Sequence, residues 1–122
     1  MKIYIAAPYP QIDSARHMRD DLVARGYVVT ARWLDERSIL NDEWAQNDLA
    51  DLDAADVLVL INDDEWANRG TGGRHTELGY ALALHMPVVL LGSRTQIFHY
   101  LKQIRVVADF DALITALEIL EC

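Results

Sequence analysis

Apolar residues along this chain fall into short continuous runs, separated by stretches in which they recur every three or four positions. Lys2–Ala7 (KIYIAA) is a compact run with β-branched and aromatic members, halted by Pro8 and Pro10, and it predicts a buried strand. Ala15, Met18, Leu22 and Val23 recur at helical spacing. They predict a helix capped by Asp13 or Ser14, running to about Ala24, with Gly26 as the closing residue. Tyr27–Ala31 reads as a second strand. Arg32–Glu43 is polar and poorly periodic, and reads as a long loop carrying Trp33. Ala45, Leu49 and Leu52 predict a helix over Trp44–Ala54. Val57–Ile61 (VLVLI) is apolar throughout, the mark of a strand covered on both faces. A helix from about Arg74 to His85, a strand over Pro87–Leu91 ended by Gly92, a short helix over Gln96–Lys102, a weak strand at Arg105–Val107 and a helix over Asp111–Leu120 complete the pattern.

Strands alternating with helices predict βαβ units and a parallel sheet clad on both sides. The expected architecture is α/β: a flavodoxin-like, doubly wound three-layer sandwich on a five-stranded, mainly parallel sheet. It forms a single domain over residues 1–122, without internal repeats or linkers. Ligands in such sheets bind beyond the carboxyl ends of the strands. The loops at 8–13, 32–43 and 62–73 leave those ends, and all three are unusual in content.

The composition narrows the partners. A net charge of −8 argues against duplex nucleic acid and against an anionic membrane surface. Cys122 is the single cysteine, so neither an intrachain disulfide nor a Cys-rich zinc site is expected, and a reducing cytoplasm fits. The opening MKIYIAAPYP has too short an apolar run for a secretory leader, and no run approaches the roughly 20 residues of a membrane span.

The most informative stretch is Arg69–Ala83, RGTGGRHTELGYALA. Gly70, Gly72 and Gly73 let a backbone approach a ligand closely. Glu77 follows at the start of a helix, and has two readings. It could simply complement the helix dipole; a capping box is excluded, because Arg74 stands where Ser, Thr, Asp or Asn would be needed. Alternatively, the helix start together with Arg74 and His75 holds it ionised, as a nucleophile or cation stabiliser for chemistry at a sugar C1′. His75-Thr76-Glu77 spells the H-x-E of zinc deaminases, but the downstream Cys pair is absent. The loop is neither a Walker A motif nor a dinucleotide fingerprint.

KIYIAAPY, QNDLADLDAADVLVLI and GTGGRHTELGYALALHMPVVLLG together resemble the nucleoside 2-deoxyribosyltransferase family, over about residues 2 to 100. The resemblance implies a flavodoxin-like fold and cleavage of the N-glycosidic bond of nucleosides or nucleotides. The sugar then passes to another base or, as in the 2′-deoxynucleoside 5′-monophosphate N-hydrolases, to water. By the same resemblance Glu77 matches the nucleophile, Asp48 the acid that handles the base, and Tyr4 the strand tyrosine that holds the nucleophile. Pro8 and Tyr9 fall where the family places residues beside the base. Asn62, Asp63 and Asp64 all lie near the place of a sugar-contacting acid. Gly72, Gly73, Arg74 and His75 depart from the transferases' Gly-Leu-Gly-Met loop and are candidates to read a phosphate or another polar group, with Arg16 and Arg94 as further candidates. His99, in QIFHY, lies where the family's neighbouring subunit donates to the site. The implied assembly is a homodimer or higher homo-oligomer with shared sites, acting on a small nucleoside or nucleotide. No cofactor and no metal are implied.

The chemistry stands without the family. Departure of a base from C1′ passes through an oxocarbenium-like state that one carboxylate captures while a second acid protonates the base. Without the motif, Asp48 is one more solvated helix acid, Tyr4 a core residue, and Trp33 and Trp44 local packing or base-stacking groups. Two other functions fit the pattern: a nucleotide-sensing module without turnover, and a phosphoribohydrolase of the lysine-decarboxylase-like type.

Overall fold

The computed structural model describes residues 1–35, 41–62 and 72–122. Among these, the chain forms β1 (Lys2–Ala6), a 3₁₀ turn at Tyr9–Gln11, α1 (Ile12–Ala24), β2 (Val28–Val29), a second 3₁₀ turn at Arg32–Asp35, and α2 (Asp42–Asp53). There follow β3 (Val57–Asn62), α3 (Gly73–Ala83), β4 (Val88–Gly92), a third 3₁₀ turn at Ile97–Tyr100, β5 (Ile104–Val107) and α4 (Phe110–Glu121). The five strands form one sheet in the order β2-β1-β3-β4-β5, and every pairing is parallel. This is the expected flavodoxin-like order, with its switch point between β1 and β3.

Register sorts the side chains into two layers. Tyr4 pairs with Leu58, and Leu58 with Val88, so these share one face. That face lies under α2 and α3, since Tyr4 reaches Glu77 of α3. Ile61 and Leu91 turn to the other face, toward α1 and α4. All six residues of β3 are buried, as expected for a central parallel strand clad on both sides.

The element ends differ from the sequence expectations for local reasons. Pro10 begins a 3₁₀ turn, so α1 starts at Ile12 with Gln11 as its cap, and Asp13 becomes a first-turn acid rather than the cap. Gly26 closes the helix at φ +95°, as anticipated. The second strand shrinks from five residues to two, because Ala31 already turns into the 3₁₀ segment. The expected loop over 32–43 is partly regular: Arg32–Asp35 coils, and Asn41 starts α2 early by accepting from the Trp44 amide at 2.9 Å. At 97–100 the chain coils as 3₁₀, not α. No described helix is long and apolar enough to cross a membrane.

Two ties bring the site-bearing elements together. The Tyr80 hydroxyl of α3 donates to Asp53 of α2 at 2.8 Å. The Trp33 indole N–H donates to the Ile5 carbonyl at 2.7 Å, closing the turn after β2 over β1. This bond gives Trp33 a local structural role.

Candidate active site

Gly72 caps α3 with φ +85°, a left-handed conformation that favours glycine, and no side chain caps the helix. Helix α3 therefore begins at Gly73, and Glu77 stands in its second turn, not its first. The helix starts one residue earlier than expected, and this changes the surroundings of Glu77. Glu77 faces the strand, where the Tyr4 hydroxyl donates to its Oε2. Tyr4 is fully buried at the centre of β1.

The electrostatics follow from this burial. Loss of hydration pushes the Glu77 carboxyl up to about 8; the Tyr4 hydrogen bond pulls it back, and the negative charge of Asp48 adds to the rise. The expectation that the helix start, Arg74 and His75 hold Glu77 ionised is thus corrected. The side chain lies in the second turn against the strand, and desolvation outweighs the favourable hydrogen bond. The Tyr4 hydroxyl is itself held above its ordinary range by burial first, and then by the charges of Glu77, Asp48 and Asp51. Tyr4 stays a neutral donor. Tyr4, Glu77 and Asp48 thus form one coupled group, drawn from β1, α3 and α2.

The remaining predicted residues spread around this group. Pro8 is buried, and its carbonyl accepts from the Gln11 amide at 2.8 Å; Tyr9 beside it is 41 % exposed. Asn62 is fully buried on the end of β3. Its amide donates to the Ser93 carbonyl at 2.6 Å and to the Thr95 hydroxyl at 3.0 Å, and its Oδ1 finds no partner among the described residues. Asp63, Asp64 and Gly70 lie outside the described residues. Arg74 is buried in the first turn of α3, and His75 is half-buried beside the third 3₁₀ turn, with Nδ1 2.9 Å from the Gln96 amide. Burial, and then the Arg74 charge, lower His75.

His99 is a correction. It was expected to serve a neighbouring subunit, yet it is fully buried in its own chain. Its Nδ1 accepts from the Thr95 amide at 3.0 Å, which places the ring proton on Nε2. Burial lowers its pKa first, then the charges of His75, Arg74 and Arg94. The exposed members of that turn are Ile97, Phe98 and Tyr100 instead. Arg16 is spent on the Leu34 carbonyl at 2.6 Å, and Arg94 lies over the Tyr100 ring at 5.1 Å.

Sequence reasoning passed over Asp51. It is 7 % exposed and bonded to Arg32. The available signal was its spacing, three residues beyond Asp48 on the same helix face. A cavity of about 450 Å³ on the opposite side of the sheet, between α1 and α4, is lined by none of the predicted site residues.

Comparison with known proteins places this geometry. No protein-family model matches the chain, and no curated protein does. A 2-deoxyribosyltransferase from the psychrotolerant bacterium Bacillus psychrosaccharolyticus superposes with a TM-score of 0.68 at 22% identity, over 93% of this chain and 90% of that one. The chain shares its fold. The CMP N-glycosidase BcmB of Clostridium botulinum superposes with a TM-score of 0.65 at 13% identity, over 98% and 99% of the two chains. Both span this chain nearly end to end, so the likeness covers the whole sheet and the helices that carry Tyr4, Asp48 and Glu77.

The raised Glu77 carboxyl has a consequence for stability. Its folded value of about 8 lies above the ordinary 4.5. The folded state therefore binds the proton more tightly, and stability is lost as pH rises from 4.5 to 8. Glu77→Gln, which mimics the protonated acid, should raise Tm relative to the parent by an increment that grows between pH 5 and pH 8. Thermal melts across that range check this, and a constant increment would contradict the burial argument.

Proposed function

We propose that this protein cleaves the N-glycosidic bond of a (deoxy)nucleoside or nucleoside 5′-monophosphate, with Glu77 as the nucleophile. The single observation that carries the reading is the half-buried carboxyl of Glu77 gripped by the Tyr4 hydroxyl, with the charge of Asp48 bearing on both. Two carboxyls whose charges bear on one tyrosine suit a reaction in which one captures a sugar cation and the other protonates the leaving group. The fold shared with a 2-deoxyribosyltransferase and a CMP N-glycosidase supports the same class.

In the reaction, the ionised Glu77 attacks C1′ as the C1′–N bond breaks. The bonding electrons leave with the base, which takes a proton through Asp48. The resulting glycosyl ester yields its sugar to water or to a second base. Tyr4 holds the carboxylate in line, and its hydrogen bond favours the charged form. A developing positive charge at C1′ favours that form too, against the desolvation that raises the carboxyl.

We also propose that the active form is a homodimer or higher homo-oligomer. Ile97, Phe98 and Tyr100 are 78 %, 55 % and 71 % exposed on a single turn, next to His75 of the site. Contiguous apolar side chains on a surface mark contact regions.

Incubation with a panel of nucleosides and 5′-monophosphates, with released base read by chromatography, tests the first proposal. A free second base in the mixture separates transfer from hydrolysis. Glu77→Gln should lower turnover by roughly 10³-fold or more, and near-parental rates would remove it as nucleophile. Since the free protein must lose the Glu77 proton while the base still has to receive one through Asp48, kcat/KM should climb with pH toward about 8 and fall again above it; a profile flat from pH 6 to 9 contradicts this. If no substrate releases base while a nucleotide still raises Tm, the protein is a sensor. Phe98→Asp should reduce the particle mass measured by light scattering, and a parent that is already monomeric rejects the assembly proposal.

A further inference from the structure

We propose that Asp51 is a positioning residue for this reaction, fixing where Asp48 stands against Glu77 and Tyr4 by tethering α2 to the end of β2; the proposal rests on the glycosidase reading of the site. Asp51 is the buried acid of α2, and each of its polar groups is spent on the same short segment. Its Oδ1 accepts from Arg32 Nε at 2.9 Å, and its Oδ2 from the Arg32 backbone amide at 2.9 Å and from Nε at 3.2 Å. Its backbone carbonyl accepts from the Thr30 hydroxyl at 2.9 Å. The Thr30 amide in turn donates to the Ile3 carbonyl at 2.8 Å, one residue from Tyr4. A continuous chain of hydrogen bonds thus runs from β1 beside Tyr4, through Thr30 and Arg32, into α2 at Asp51.

Asp51 lies three residues beyond Asp48, on the same side of one helix, so fixing one fixes the azimuth of the other. The second tie of α2, Asp53 to Tyr80, lies farther along the helix and binds it to α3. Together the two ties set the position of α2 against both strand and helix partners of the reacting group. The Arg32 side chain is 56% exposed and its partner 9%, so the guanidinium answers the buried charge from the surface. A bond to the backbone amide adds a fixed direction that an ion pair alone lacks. Asp51 touches no reacting atom, and its influence passes through Asp48.

The role predicts a particular pattern of damage. A misplaced general acid slows departure of bases that need a proton, and barely affects one that leaves without it. In Asp51→Asn, base release from an ordinary purine substrate should fall by about 10- to 100-fold. Release from the N7-methylated purine analogue, whose base departs as a neutral molecule, should stay within about 2-fold. Arg32→Ala keeps the backbone donor and should fall between parent and Asp51→Asn, which guards against a variant that does not fold. Equal losses on both substrates would make Asp51 a structural residue only and overturn the proposal. A parent that releases base from no member of the nucleoside and 5′-monophosphate panel overturns the glycosidase reading instead. The tether is then decided by hydrogen exchange: Asp51→Asn should speed exchange of the α2 amides by about 10-fold or more relative to α1, and unchanged protection sinks it.

Discussion

A half-buried carboxyl held against a tyrosine in the middle of a buried strand is the constraint around which the rest of this molecule is arranged. Holding Glu77 there requires three elements to agree. The glycine cap of α3 sets the turn on which Glu77 falls. The parallel register of β1 on β3 points Tyr4 to the α3 face. Helix α2 brings a second acid near enough for its charge to be felt by both. Burial alone would leave an inert acid. The phenolic donor pulls the carboxyl back toward ionisation, and the balance places its titration near neutrality, where a general reactant is most useful.

Much of the fold was legible because its signals are local. Val57–Ile61 could only be a strand covered on both faces, and Gly26 closes α1 with the conformation its position suggested. The boundaries that moved were those set by one side chain. Asn41 opens α2 through a single hydrogen bond, and Pro10 turns the chain before α1. The shortened β2 reflects a competition between extended pairing and the 3₁₀ turn that carries Trp33.

The candidate site was legible as a set of residues but not as an environment. Tyr4, Asp48 and Glu77 were singled out from motifs, and the fold does gather them. The ionisation of Glu77 was misjudged because sequence shows the charged neighbours and hides the depth. A helix start one residue earlier puts Glu77 in the second turn, where it meets the strand. His99 failed for a similar reason, since an amphipathic turn leaves open which side chain turns inward. Here the imidazole turns in and the aromatic neighbours turn out. Asp51 was lost among the many acids of a chain with net charge −8, and only its hydrogen bonds set it apart.

The shape of the sheet's borders also governs how copies of this protein can meet. One margin is the two-residue β2, and the other is β5, four residues long with Arg105 pointing to solvent. Neither offers a long, flat, apolar row of free amides and carbonyls for another chain to extend. Short margins of this kind guard the fold against the runaway strand-to-strand accretion that ends in fibres.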